Sequence, residues 1–118
     1  MAKVLIVDDS RTSRKILKNI LEENGHEILA EAENGQIGYE KYIELRPDIV
    51  TLDITMPVLD GIGALQKIME LDENAKVIMV TAAGQKSKMV EAIKAGAAEF
   101  IQKPFEPEQI LTVLDGLK

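Results

Sequence analysis

Apolar runs and segments of helical period alternate five times along this chain. Residues 4–7 (VLIV) are apolar without interruption and read as a strand buried on both faces. Ser10 is suited to cap the helix that follows, in which Ile16, Leu17, Ile20 and Leu21 share one stripe and Gly25 is the stop. Residues 27–32 form a more polar, alternating strand, the pattern of a sheet edge. Asn34-Gly35 opens a second helix carrying Ile37, Tyr42 and Leu45, which ends before Pro47. Residues 48–53 (DIVTLD) read as a third strand. After the turn residues Pro57, Asp60 and Gly61, a helix with Ile62, Leu65, Ile68 and Met69 runs to about Glu70. Residues 76–81 (KVIMVT) predict a fourth strand, 86–95 a helix stopped by Gly96, and 98–102 a fifth strand. The last helix covers 107–117, with Pro107 in its first turn.

Five strand-helix units predict an α/β fold, a parallel sheet with helices on both faces. Short, right-handed crossovers favour the flavodoxin-like doubly wound order 2-1-3-4-5, which leaves the polar second strand at an edge. Ligands of such sheets sit beyond the carboxyl ends of the strands, at the switch point between strands 1 and 3.

Those ends carry chemistry. Strand 1 runs into Asp8-Asp9, strand 3 ends in Asp53, strand 4 in Thr81, and Lys103 follows strand 5. In the predicted order three carboxylates converge on one crevice, with a hydroxyl and an ammonium entering from one side. Three carboxylates and one lysine leave a charge of −2, which one divalent cation cancels. An all-oxygen site of this kind suits Mg²⁺. A carboxylate beside that cation can attack a phosphoryl group and form an aspartyl phosphate, while cation, ammonium and hydroxyl share the oxygens' charge. Asp53 is the candidate nucleophile, and the adjacent Asp8 and Asp9 make better metal ligands. Each residue has a plainer reading as well: strand-end acids cap helices, Thr81 is a β-former, and Lys103 is a solvated charge. Their joint placement on four of five strand ends favours a site.

Composition narrows the setting. At 118 residues the chain is expected to be one domain, 1–118, with no output domain. No apolar run approaches the about 20 residues of a membrane helix, and no signal-peptide pattern is present. The absence of cysteine fits a cytoplasmic protein. A net charge of −6 with scattered basic residues argues against nucleic acid as a partner.

The motifs VLIVDDS, DIVTLDITMPVLDG, VIMVTAAG and EFIQKPF resemble the receiver domain of two-component response regulators, in particular single-domain chemotaxis regulators of the CheY type, whose fold has this same strand order. The resemblance spans essentially the whole chain. It implies that Asp53 accepts a phosphoryl group from a phosphohistidine on a sensor histidine kinase, and that Asp8, Asp9, Asp53 and the backbone carbonyl of Thr55 hold Mg²⁺. Lys103 would pair with the phosphoryl group, while the Thr81 hydroxyl and the Ala82 amide move onto its oxygens. A cis Lys103–Pro104 bond would aim the lysine inward. Phe100 would be the aromatic whose rotamer follows Thr81, without the hydroxyl a tyrosine would offer; a plain core aromatic is the other reading. Thr55 would influence the dephosphorylation rate. Such a protein is a monomeric phosphoacceptor rather than an enzyme, assisting its own phosphorylation and dephosphorylation. Its output is binding of a partner, such as a flagellar motor switch protein, through the face of the last helix-strand-helix. A phosphatase is a further expected partner, and no membrane is involved. Gly84 gives the loop after strand 4 freedom to move.

Two alternatives stand beside this reading. One is a phosphorelay intermediate that passes the group to a histidine phosphotransferase. The other is an aspartyl-phosphate hydrolase of the haloacid dehalogenase type, which wants a DxD pair with its nucleophile on the first strand; this chain has adjacent acids there and its lone acid on the third. Nucleotide binding lacks a motif, since there is no G-x-x-x-x-G-K-[ST]. His26, the sole histidine, is expected to be solvated near a helix end.

Overall fold

A computed structural model of the chain describes residues 1–82 and 84–117. Its elements are β1 (Lys3–Val7), α1 (Arg11–Glu23), β2 (Glu27–Ala32), α2 (Gly35–Leu45), β3 (Ile49–Asp53), α3 (Gly61–Leu71), β4 (Val77–Thr81), α4 (Lys86–Lys94), β5 (Glu99–Gln102) and α5 (Pro107–Gly116). The five strands form one sheet in the order β2-β1-β3-β4-β5, and every neighbouring pair is parallel. The predicted flavodoxin-like order is therefore the observed one, with the polar β2 at an edge.

Burial follows from that order. The three inner strands are almost wholly buried, whereas β2 and β5 each keep exposed residues. Alternate side chains leave opposite faces of the sheet, so two cores form. Leu5, Val7, Val50, Leu52, Val77 and Met79 pack on one side with Tyr42, Leu65, Ile68 and Ala92 of α2, α3 and α4. Val4, Ile6, Ile49, Ile78 and Ile101 pack on the other with Leu17 and Leu21 of α1 and Ile110 and Leu114 of α5. Each fully buried Leu or Ile contributes about 1.5 to 3 kcal/mol, so the inner strands hold the sheet rigid where it carries the acids.

Helix starts are fixed locally. Ser10 accepts the Ser13 amide, Asn34 accepts that of Ile37 and Asp60 that of Gly63, so α1, α2 and α3 begin where their caps stand. The second helix stops because Arg46 turns left-handed, at φ 45°, one residue before Pro47. Gly61 is required by proximity, because a Cβ there would overlap the carbonyl oxygen of Asp53. The first turn of α3 thus lies directly against the backbone that carries the central acid.

One expectation fails. His26 is not solvated; it is 7% exposed, and its Nδ1 accepts the Ala2 amide at 3.0 Å. The turn after α1 folds under the start of β1, a pairing over 24 positions that no local pattern announces.

Thr51, in the middle of β3, is 1% exposed and its hydroxyl oxygen has no hydrogen-bond partner among the described residues. Its register neighbours are Ile6 and Ile78. A buried hydroxyl without a partner costs about 1 to 3 kcal/mol. Thr51→Val keeps the shape and removes that cost, so urea unfolding should shift to a higher midpoint with unchanged slope, a gain of about 1 kcal/mol. A lower midpoint would show that the hydroxyl is satisfied.

Candidate functional site

The carboxyl ends of β1, β3 and β5 bring four charged residues together. Asp53 is the last residue of β3, opposite Val80 of β4. The ladder continues one step beyond it, with Ile54 N–H donating to the Val80 carbonyl at 3.1 Å. Asp8 follows β1 and is tied down on both sides. Its N–H donates to the Ala32 carbonyl at 3.0 Å, and its own carbonyl accepts from Arg14 Nη1 at 2.7 Å. Its Oδ1 accepts the Ser10 amide at 2.8 Å, which leaves Oδ2 directed to Lys103 Nζ at 3.0 Å. Lys103 also lies 3.5 Å from Asp53 Oδ2. Oxygens of Asp8, Asp9 and Asp53 all come within 4.8 Å of one another.

Charge is out of balance here. Asp8 and Asp53 are buried, at 3% and 7% exposure, while Asp9 is exposed. Two unit charges at such a distance repel by about 3 to 4 kcal/mol at an effective dielectric near 20. The single ammonium of Lys103 answers only part of that. Burial first, and then the charge of Asp8, push the Asp53 carboxyl up to about 6, against the pull of Lys103. Burial would lower Lys103, but its hydrogen bond to Asp8 and the charges of Asp53 and Asp8 hold it above the usual lysine value. Three converging hard oxygen donors with a charge deficit fit a divalent cation.

The other expected site residues lie on β4 and β5 and in the loops after β3, β4 and β5. Thr81 ends β4 and is fully buried, and its hydroxyl donates to the Ile101 carbonyl of β5 at 3.5 Å. The Ala82 amide donates to Gln85 Oε1 at 2.7 Å. Thr55 is exposed, and its hydroxyl accepts from Gln85 Nε2 at 2.7 Å. Phe100 is half-buried against the core on the α2, α3 and α4 side, opposite Met79. The Lys103–Pro104 bond is cis, and Gly84 has φ +87°.

Sequence reasoning missed two features. Gln85 is the first. It stands at the N-terminal cap of α4, where a short acceptor side chain is usual, and that atypical residue was the available signal. The second is Val58, 83% exposed at φ 69°, with Leu59 N–H donating back to the Pro57 carbonyl at 2.8 Å. A β-branched residue in this tight turn is strained. No pattern of apolar and polar positions reports such a conformation.

The sequence profile of the response regulator receiver domain matches residues 4–115. The chemotaxis protein CheY of Thermotoga maritima is 51% identical over 113 residues, covering 96% of this chain and 94% of that protein. CheY of Bacillus subtilis is 50% identical over 113 residues, again covering 96% and 94%. Among solved structures, a chain of the CheX–CheY–BeF₃–Mg²⁺ complex from Borrelia burgdorferi matches with a TM-score of 0.93 at 41% identity, covering 98% of this chain and 87% of that one.

The raised Asp53 value has a sign that can be tested. Its folded-state pKa, about 6, lies above the ordinary 3.8 of the unfolded chain. The folded protein binds that proton more tightly, so the contribution of Asp53 to stability is greatest below about pH 4 and is lost as pH rises through about 6. Asp53→Asn removes the penalty. In metal-free protein it should raise stability by about 2 to 3 kcal/mol at pH 7.5 and by little at pH 4, read by thermal unfolding at both values. An equal gain at both pH values would refute the electrostatic cause.

Proposed function

Because the chain belongs to the response regulator receiver domain family, we propose that it is a chemotaxis regulator in which Asp53 is the phosphoacceptor. The observation that carries this reading is the meeting of Asp8, Asp9 and Asp53 with one lysine. Asp53 attacks the phosphorus of a kinase phosphohistidine; its P–N bond breaks, a P–O bond forms, and the electron pair stays on the imidazole nitrogen. A carboxyl titrating near 6 is mostly ionised, and so nucleophilic, at neutral pH. Mg²⁺ is the proposed cation, held by Asp8, Asp9, Asp53 and the carbonyl of Thr55, and when bound it would neutralise the acids and polarise the phosphoryl oxygens.

The chain's own groups do the rest. Lys103 transfers its hydrogen bonds from the free carboxylates to a phosphoryl oxygen. The Thr81 hydroxyl leaves the Ile101 carbonyl and the Ala82 amide leaves Gln85, each to meet a new acceptor. Withdrawal of Thr81 from β5 opens room for Phe100 to turn inward, which biases an existing equilibrium of α4, β5 and α5. That face is the proposed output surface, toward a partner such as a flagellar motor switch protein. Val90 and Ile93 of α4 support it, being 47% and 52% exposed. The protein acts in this reading as a cytoplasmic monomer and a phosphoacceptor rather than a turnover enzyme. Among the described residues no helix is long and apolar enough to cross a membrane. A sensor kinase supplies the group, and a phosphatase is the expected partner for its removal.

Incubation with labelled acetyl phosphate and Mg²⁺ tests the proposal. The chain should take up label, Asp53→Asn should take up none, and Asp9→Ala should lose Mg²⁺-dependent labelling while remaining folded by circular dichroism. Label that survives Asp53→Asn unchanged overturns the assignment, and rapid turnover of diverse phosphate esters would favour a hydrolase instead.

A further inference from the structure

Two donors at the end of β4, the strand paired with the one that Asp53 ends, are both engaged elsewhere. The Thr81 hydroxyl is on the Ile101 carbonyl, and the Ala82 amide is on Gln85 Oε1 at 2.7 Å. The same carboxamide donates through Nε2 to Thr55 Oγ1 at 2.7 Å. Thr55 is two residues beyond Asp53, so one side chain ties the loop after β3 to the loop after β4. These are neighbouring strands of the sheet, and Asp53 ends one of them.

Gln85 gives up local stability to do this. It is the N-cap residue of α4, yet its side chain makes no capping hydrogen bond and leaves the first turn of that helix to other partners. By contrast Ser10, Asn34 and Asp60 each cap their own helix. A cap position used for a cross-loop bridge couples the start of α4 to the residues that frame the acid.

We propose that Gln85 is a positioning residue, a latch that holds the Ala82 amide and Thr55 together in the resting protein and must open when Asp53 is loaded. The inference rests on the phosphoacceptor reading of Asp53. An oxygen added at Asp53 recruits the Ala82 amide only by displacing Gln85 Oε1. A charged acceptor outcompetes a neutral carboxamide, so loading opens the latch. Opening also frees the N-terminus of α4 from Thr55, which connects the charge at Asp53 to the exposed face of that helix. The latch weakens the response of the resting protein by the free energy of the bonds that must break, and it thereby sets the threshold of the switch.

The test uses beryllofluoride with Mg²⁺ as a stable phosphoryl analogue, and amide exchange of Ala82 in the metal-free chain. Gln85→Ala should bind the analogue about 3- to 10-fold more tightly, the value of one hydrogen bond no longer broken. Its Ala82 amide should exchange with solvent faster by a similar factor. Gln85→Glu keeps an acceptor and should restore slow exchange, which a merely structural role would not do. Thr55→Val releases one end and should fall between, and the double variant should be less than additive. Unchanged affinity and exchange in Gln85→Ala, with an unsubstituted chain that does bind the analogue, overturn the latch alone. Weaker binding by Gln85→Ala overturns it too, because Gln85 would then support the loaded state. Failure of the unsubstituted chain to bind the analogue or to take label overturns the phosphoacceptor reading and the latch with it.

Discussion

Two buried carboxylates, Asp8 and Asp53, share the ammonium of Lys103, and most of the site's geometry follows from that shortage of positive charge. Asp8 is tolerable because Ser10 supplies an amide to one oxygen and Lys103 approaches the other. Asp53 has no such amide among its described hydrogen bonds, and its carboxyl rises to about 6. The fold holds it there nonetheless. Five buried positions of β3 and the close approach of Gly61 leave its backbone no other place. The core therefore stabilises an arrangement that electrostatics opposes, which is how a site stores a demand for a cation or a new ligand.

The neighbouring loops meet that demand in a resting form. Thr81, Ala82, Gln85 and Thr55 all have partners, and none of those partners is Asp53. The donors that a charged ligand would use are thus satisfied before it arrives. In the proposed switch, loading would exchange hydrogen bonds rather than create them from unpaired groups, so the two states would lie close in free energy. Small differences then decide the population, and a single side chain such as Gln85 can matter.

The fold was legible because its signal is local and repeated. Mostly apolar runs marked the inner strands, the mixed pattern of residues 27–32 marked the edge, and Ser10 and Asn34 marked two helix starts at the right residue, whereas Asp60, read only as a turn residue, proved to be the cap of α3. The cluster was legible for a topological reason: once the strand order is set, the ends of β1 and β3 must be neighbours. His26 went the other way. Its partner is the amide of Ala2, which neither residue's surroundings in the sequence suggest.

By itself the sequence determined the alternating elements, their parallel sheet, and the convergence of Asp8, Asp9, Asp53 and Lys103 at its carboxyl edge, since periodicity and strand order are properties of short stretches. Tertiary structure alone decided where each donor points. That Lys103 sits nearer to Asp8 than to Asp53, that Thr81 turns to β5, and that Gln85 spans two loops instead of capping its helix depend on rotamers. Rotamers are chosen by neighbours distant in sequence, through packing and hydrogen-bond competition that no local pattern encodes.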